Sequence, residues 1–494
     1  MPALRSVAVG IWIGVGSRDE VPETSGLSHF LEHMLFKGTP TRGPREIAEL
    51  FDGMGGEINA FTGRDHTALF ARVLDTHLEH AFEVLADMLL HPCMRDLEQE
   101  REVVLEEIAM YEDDPGDLVH DLAAEAIFPE QPLGRPVIGT SAVISSVSAE
   151  VVSAHHARHY VAPRIVVAAA GNIGHEQIVE LSQRHLSDLG THDTQAEVTP
   201  AAASEPRLLV REKTTEQVHL ALAGAGLPRN DERRHALAVV DSILGGSMSS
   251  RLFQEVRERR GLAYAVGTYS ASYREIGQLG VYLGTREDNL REATDIVARE
   301  LERIAAEPVP DAELARTKDH LVGRLLLGLE SPANRMHRIG RTHLGDGELL
   351  SMDELATRVQ AVSPSDVQEV ADEFWRPEKM CVAAIGPSAE VIHKGVRQLS
   401  VALAALPGAS SAKATGAGAA ASRDRRTNIR LSTIVSPMPR TQTPATDSSA
   451  RDSEISWRIG KRKSPVIAPS LPDDAANPCP VPRMWHSKSS APWR

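Results

Sequence analysis

Ser28-His29-Phe30-Leu31-Glu32-His33-Met34-Leu35-Phe36-Lys37-Gly38 is the stretch from which the rest of the chain is read. Its two histidines are four residues apart, so on a helix of about 3.6 residues per turn their rings project from one face, one turn apart. Leu27, Phe30, Leu31, Met34 and Leu35 supply the apolar side of that helix, and Gly38-Thr39-Pro40 ends it. A zinc ion takes neutral imidazole at about 2.0–2.1 Å and, in a catalytic site, three protein ligands with a position left open. Glu32 lies near that position without being a ligand, where a carboxylate can accept a proton from water. The pattern His-x-x-Glu-His arises by chance in about one chain in twenty of this length. By itself it therefore leaves a second reading open, two core histidines hydrogen-bonded to their neighbours.

A third ligand is sought where a carboxylate interrupts an apolar helical face. The segment from Leu97 to Tyr111 is strongly helical by propensity, and Glu100, Val103, Val104, Glu107 and Tyr111 fall on one stripe. Glu102 and Glu106 lie towards another face, as ordinary solvated charges. A carboxylate buried alone is costly, and a cation is one of the few partners that offset the cost. For Glu107 a salt bridge to a basic side chain is the alternative.

The order His29-x-x-Glu32-His33, followed about seventy residues on by Glu100-Arg101-x-Val103-x-x-x-Glu107, resembles the inverted zinc motif of the pitrilysin/insulinase metallopeptidases. Within that family it is most similar to short bacterial members related to the β subunit of the mitochondrial processing peptidase. The resemblance implies that His29, His33 and Glu107 bind one zinc ion per chain, that Glu32 is the general base, and that Glu100 orients a ligand histidine from behind.

At 494 residues the chain is long enough for two or three domains, and its apolar fraction is that of a globular protein. A net charge of −15 argues against nucleic acid or an anionic membrane as the main partner. Cys93, Cys381 and Cys479 are far apart with no metal or disulfide spacing, as expected of a reducing, cytoplasmic protein. Met1-Pro2-Ala3-Leu4-Arg5 has no signal-peptide pattern, and no apolar run approaches membrane-spanning length.

In chain order, Val7 to Gly16 reads as a buried strand; members of the family usually carry a further strand before it, so either the sequence starts late or that edge of the sheet is left open. Arg45 to Phe51 is helical, and Glu57 to Thr62 with Thr67 to Val73 form a hairpin about Gly63-Arg64-Asp65. In the family the strand matching Asn59, Ala60, Phe61 and Thr62 is an exposed edge beside the zinc, where an extended substrate adds as a further strand; a plain structural hairpin is the alternative. His66, His77, His80, His91 and His155-His156-x-x-His159 have no carboxylate at motif spacing and are expected on solvated faces or strand ends.

A strand over Arg164 to Gly171 and a helix over His175 to Leu186 close a first domain at residues 1–190, and 191–206, rich in Thr, Ala, Glu and Pro, is the expected linker. The pattern then repeats over 207–405 with a period near 210 residues. Val218 to Ala223 answers the first strand, Val281 to Thr285 with Leu290 to Ile304 answers Leu69 to Met88, Asp311 to Pro332 answers Asp96 to Pro115, and Val382 to Gly386 answers Val167 to Gly171. The counterpart of the motif helix, Ala236 to Leu244, has no histidine, and placing Pro332 on Pro115 sets Arg324 opposite Glu107. The second copy therefore cannot repeat the chemistry. Its stretch Ser249 to Val266 resembles the family segment whose Arg and Tyr, here Arg257 and Tyr264, reach the substrate, the Tyr hydroxyl stabilising an oxyanion; a basic helix end before a core strand is the alternative. Residues 406–494, with Ala-Gly-Ser runs, repeated Pro, and Trp457, Trp485 and Trp493, are expected to be a disordered tail.

These readings converge on an α+β fold of two homologous domains, each an antiparallel sheet with helices on one side, closing over a chamber. The expected activity is zinc-dependent endopeptidase cleavage of extended peptides or unfolded polypeptide. Short family members often dimerise, so a homodimer is the other expected partner. A non-catalytic scaffold subunit, like the core proteins of a respiratory complex, and a structural metal site are the competing classes.

Overall fold

Val7-Ala8-Val9-Gly10-Ile11-Trp12-Ile13 carries no polar residue because the strand it forms is covered on both faces. The structure, a computed structural model, describes residues 1–192 and 200–399. The expected tail over 406–494, its three tryptophans, and the middle of the expected linker lie outside the described residues.

The first half runs β1 (Ser6–Ile13), α1 (Leu27–Leu35), α2 (Pro44–Gly53), β2 (Glu57–Thr62), β3 (Thr67–Leu74), α3 (Leu78–Leu90), α4 (Leu97–Asp113), α5 (Pro115–Ile127), α6 (Ser141–Ile144), α7 (Ala149–His159), β4 (Ile165–Gly171) and α8 (His175–His185). The second half runs β5 (Leu208–Glu212), β6 (Val218–Gly226), α9 (Arg234–Leu244), β7 (Ala263–Ser272), β8 (Gly277–Thr285), α10 (Glu287–Ala306), α11 (Asp311–Gly328), α12 (Pro332–Leu344), α13 (Met352–Ala361), α14 (Pro364–Phe374), β9 (Cys381–Gly386) and α15 (Ala389–Gly395). The first sheet has the order β2-β3-β1-β4 and the second β5-β9-β6-β8-β7. Read from the hairpin edge inwards, β7-β8-β6-β9 repeats β2-β3-β1-β4, and all of these neighbours are antiparallel.

Two α+β domains are the architecture expected, with two differences. β5 has no counterpart in the first sheet and pairs parallel with β9, making the second sheet mixed. The sheets also carry helices on both sides, because each half covers the other. Val7, Val9, Ile11 and Ile13 face the first half's own helices, whereas Ala8 and Trp12 face Met336 of α12, from the second half. Reciprocally, Val218, Leu220 and Leu222 of β6 face their own helices, and Ala221 and Ala223 meet Leu118, Val119, Ala123 and Ile127 of α5. The central strands meet the visiting helices through Ala8, Gly10, Ala221 and Ala223, whose small side chains let the backbones approach. At Gly10 an added Cβ would come within 2.7 Å of Met336 Sδ.

The two visiting helices start alike. Asp114 and Ser331 each accept a backbone N–H of the first turn, and Pro115 and Pro332 stand at the first helical position. Ion pairs join the turns of the two hairpins across the halves. Arg18 bridges Asp65 at 3.4 Å and Glu275 at 3.0 Å, and Arg229 of the second half pairs with Asp65 as well. Among the described residues no helix is long and apolar enough to cross a membrane.

Candidate metal centre and active site

The motif stretch becomes α1, a short helix whose buried side consists of Leu27, Phe30, Leu31, Met34 and Leu35. Its entry turns at Gly26, where φ is +92° and an added Cβ would meet Ile138 O at 2.6 Å, so only glycine fits. The open N–H groups of its first turn meet a buried carboxylate: Glu20 accepts from Gly26 N at 2.7 Å and Ser28 N at 2.6 Å. A negative group there also opposes the positive end of the helix dipole. Burial pushes the Glu20 carboxyl up to about 7, against these bonds, which pull it down.

On the other side of α1, His29 and His33 stack edge to face with ring centres 4.7 Å apart. Glu107 of α4 reaches them both: His33 Nε2 is 3.3 Å from Oε2, and His29 Nε2 is 3.8 Å from Oε1. One donor atom from each of the three lies within 4.8 Å of the others, and this is the group of such residues found among the described ones. Tetrahedral ligands at about 2.0–2.1 Å from an ion stand about 3.4 Å apart, so the separations fit zinc with little movement. His33 Nδ1 contacts Glu100 Oε1 at 2.8 Å, and Lys37 pairs with the other oxygen of Glu100. With its proton on Nδ1, His33 turns the Nε2 lone pair towards Glu107. Burial, aided by His33, pushes His29 down to about 4, which leaves a neutral imidazole able to donate a lone pair. His29 Nδ1 is buried with no hydrogen-bond partner among the described residues.

Glu32 is partly buried beside this group. Burial pushes its carboxyl up, with Glu107 adding to the effect and Thr62 and His33 opposing it. Thr62, the last residue of β2, donates its hydroxyl to Glu32 Oε2 at 2.6 Å. β2 pairs with β3 alone, placing Asn59 opposite Phe70, Ala60 opposite Leu69, Phe61 opposite Ala68 and Thr62 opposite Thr67. Ile58 and Ala60 pack on the core beneath, and Phe61 turns to the far face against Trp12 and His337 of α12.

The buried stripe of α4 differs from the expected one. Leu97, Glu100, Val104 and Ile108 are inside, Val103 is half exposed, and the Glu107 side chain is 45% exposed at the border of the buried face. His155 and His159, expected on a solvated face, are buried in α7; His155 Nε2 lies 3.2 Å from Ser28 Oγ, and His159 contacts Arg164 at 2.7 Å. His80 and His91 are surface side chains paired with Glu83 and Asp87.

Arg257 sits in a π-helical turn over Phe253–Glu258, its guanidinium carbon 4.7 Å from the Phe253 ring centre and 4.4 Å from that of Tyr264. It donates to the Tyr264 carbonyl at 3.1 Å, and the Tyr264 side chain, 76% exposed, stands out from the edge strand β7. The pair is assembled with itself, and no described contact joins it to His29, Glu32, His33 or Glu107. Glu20, Lys37 and the hydroxyl of Thr62 are the site-building groups that sequence reasoning missed. Lys37 stands inside the motif stretch, whereas Glu20 and Thr62 have no spacing signal.

Residues 2–141 match the sequence model of a family described as Insulinase (Peptidase family M16), and residues 146–321 match one described as Peptidase M16 inactive domain. The second match begins inside the first half, before β4. A Streptomyces coelicolor protein named an uncharacterized zinc protease is 42% identical over 398 residues, spanning 78% of this chain and 86% of its own length. A Bacillus subtilis protein with the same description is 40% identical over 391 residues, 78% of this chain and 94% of its own. Among solved structures, a protease from Helicobacter pylori superposes with a TM-score of 0.72 at 21% identity, over 77% of this chain and 94% of that one, a likeness of fold.

Proposed function

The chain belongs to the insulinase family, peptidase family M16, and on that premise we propose that it is a zinc-dependent endopeptidase that hydrolyses peptide bonds in extended or unfolded polypeptide. His29, His33 and Glu107 would hold the zinc ion, and Glu100 would orient His33. When bound, zinc supplies a Lewis acid that polarises the scissile carbonyl.

The remaining chemistry is assigned to this chain's own groups. Glu32 removes a proton from water as the water oxygen bonds to the carbonyl carbon. It then delivers that proton to the amide nitrogen as the carbon–nitrogen bond breaks, releasing an amine and a carboxylic acid, whose own proton then passes to the amine to leave a carboxylate and an ammonium group. The raised affinity of the Glu32 carboxyl for a proton suits a group that must both take and return one. The open edge of β2 supports main-chain capture of an extended substrate along Asn59, Ala60, Phe61 and Thr62, whatever its side chains. Since α5 and α12 fill the inner faces of the sheets, the reading places the substrate chamber along that edge. The exposure of Tyr264 and the stacked Arg257 supports a contact to the peptide from the second half.

The observation that carries this reading is a carboxylate, Glu32, that stands on the same helix beside His33 and is hydrogen-bonded to Thr62, outside the His29, His33 and Glu107 donor group. A purely structural metal site has no use for it. The test compares wild type and Glu32→Gln for zinc content and for cleavage of a quenched peptide library. The peptidase reading expects one zinc per chain in both and cleavage by wild type alone, with a loss of about 10³-fold or more in the variant. Zinc without hydrolysis in either protein would leave a structural site, and no zinc in either a scaffold.

A further inference from the structure

The edge strand does more than offer its backbone. We infer that Thr62 is the positioning residue for Glu32: its hydroxyl holds one carboxylate oxygen, Oε2, and leaves Oε1 to exchange the proton. The inference rests on Glu32 being the general base.

Three observations lead to it. The Thr62 Oγ1 to Glu32 Oε2 separation is 2.6 Å, whereas Thr67 Oγ1 is 3.4 Å from Thr62 Oγ1. Thr67 gives its single proton to Val15 O at 3.0 Å, so it does not donate back to Thr62, and the Thr62 proton is directed at the carboxylate. An ionised glutamate only accepts, and a hydroxyl bond to it is of the stronger, charge-assisted kind.

Thr62 is also placed at the rigid end of its strand. It closes the hairpin opposite Thr67, and Gly63 N bonds to His66 O at 2.8 Å. The turn is held from outside by Ser17 N to Gly63 O at 3.2 Å, Arg18 N to Arg64 O at 3.0 Å, and Arg64 to Asp121 at 2.9 Å. Asp65 is gripped by Arg18 and, from the second half, by Arg229. The upstream residues of β2 have a neighbour on one side only. The orientation of Glu32 is therefore set by a turn that both halves clamp, and the strand proposed to receive the substrate is the one that aims the base.

The test uses the full zinc-loaded chain with Thr62→Val, which keeps the branched shape and removes the hydroxyl, and Thr62→Ser, which keeps the hydroxyl. On a peptide that wild type cleaves, Thr62→Val is expected to lower kcat by about 10- to 100-fold with KM changed by less than about twofold, and Thr62→Ser to recover most of the loss. Zinc affinity by chelator competition and the melting midpoint are expected to match wild type in both. An unchanged kcat in Thr62→Val overturns the inference, as does a rise in KM at constant kcat, which would leave Thr62 a substrate contact only. A loss of kcat accompanied by weaker zinc binding or a lower melting midpoint overturns it too, as a structural effect. Should Thr62→Val fail to fold, Thr62→Ala is judged by the same criteria. If Glu32→Gln is inactive and Thr62→Val is not impaired, this inference alone falls; if wild type cleaves nothing, the reading of Glu32 falls with it.

Discussion

The two halves repeat one strand order and one pattern of helices, yet among the described residues the hairpin edge of the first lies beside a convergent donor group and that of the second does not. α1 and α9 occupy corresponding places, each after the central strand of its sheet. α1 is nine residues long, begins on a buried carboxylate and presents His29, Glu32 and His33. α9 begins at Arg234, after Arg233, which makes no side-chain cap, and carries His235 in its first turn with Asp241 and Ser242 further along. α4 brings Glu107 towards α1, whereas α11, which packs on α9, carries Arg324. The comparison teaches that the scaffold and the chemistry are separable: the repeated sheet supplies the geometry, and a few side chains on two helices supply the donors.

The change that breaks this contrast most completely is Glu107→Arg, which puts the second half's residue into the first. It is expected to abolish zinc retention and reduce hydrolysis by about 10³-fold or more, since a cation would repel the ion and two histidines alone hold it weakly. Metal content by mass spectrometry and peptide cleavage check this. The reverse change, Arg324→Glu, should leave the zinc count at that of wild type, because α9 offers a single histidine, His235 in its first turn, and not a pair one turn apart.

A smaller effect tests whether each half depends on the other. Gly340 of α12 faces Trp12, with no room for a Cβ. Gly340→Leu is expected to cost about 1–3 kcal/mol by overpacking, read as a lower denaturant midpoint, and to disturb the emission of Trp12 in the opposite half. An unchanged midpoint would mean that the halves are held together elsewhere.

The smallest expected effect concerns the start of α1. The folded-state pKa of Glu20, about 7, is above the usual glutamate value of about 4.3. The folded chain therefore holds a proton that the unfolded chain releases, and stability falls as pH rises between about 4.3 and 7. Glu20→Gln should flatten that slope in melting curves taken across pH 4.5–8 and cost about 1 kcal/mol near pH 5 through the lost acceptor. A slope unchanged in the variant would show that other groups carry it. At the start of α9 the carboxylate that accepts a backbone N–H is Asp231, from Arg233 N at 2.8 Å, and the Arg233 side chain holds it below its usual range, so no slope of this sign is expected there.

The legible part of the site was local. His29, Glu32 and His33 are related by helical period, and a propensity-rich segment carried Glu100 and Glu107, so their helices could be drawn from spacing. The buried stripe of α4 runs through Ile108 and not Val103, because the two are equally apolar and periodicity does not say which side a neighbour will cover. His155 and His159 looked polar enough for solvent, and they are buried because α7 packs beside α1.

The order of residues along the chain therefore determined the helices, the strands, their duplication and the identity of the candidate donors, since each follows from patterns within a few turns of backbone. Folding decided that α12 covers β1 and α5 covers β6, that Glu20 caps the helix of the histidines, and that Thr62 reaches Glu32 across 30 positions of sequence. Those contacts join segments with no fixed spacing, and burial selects them only when both partners are already in place.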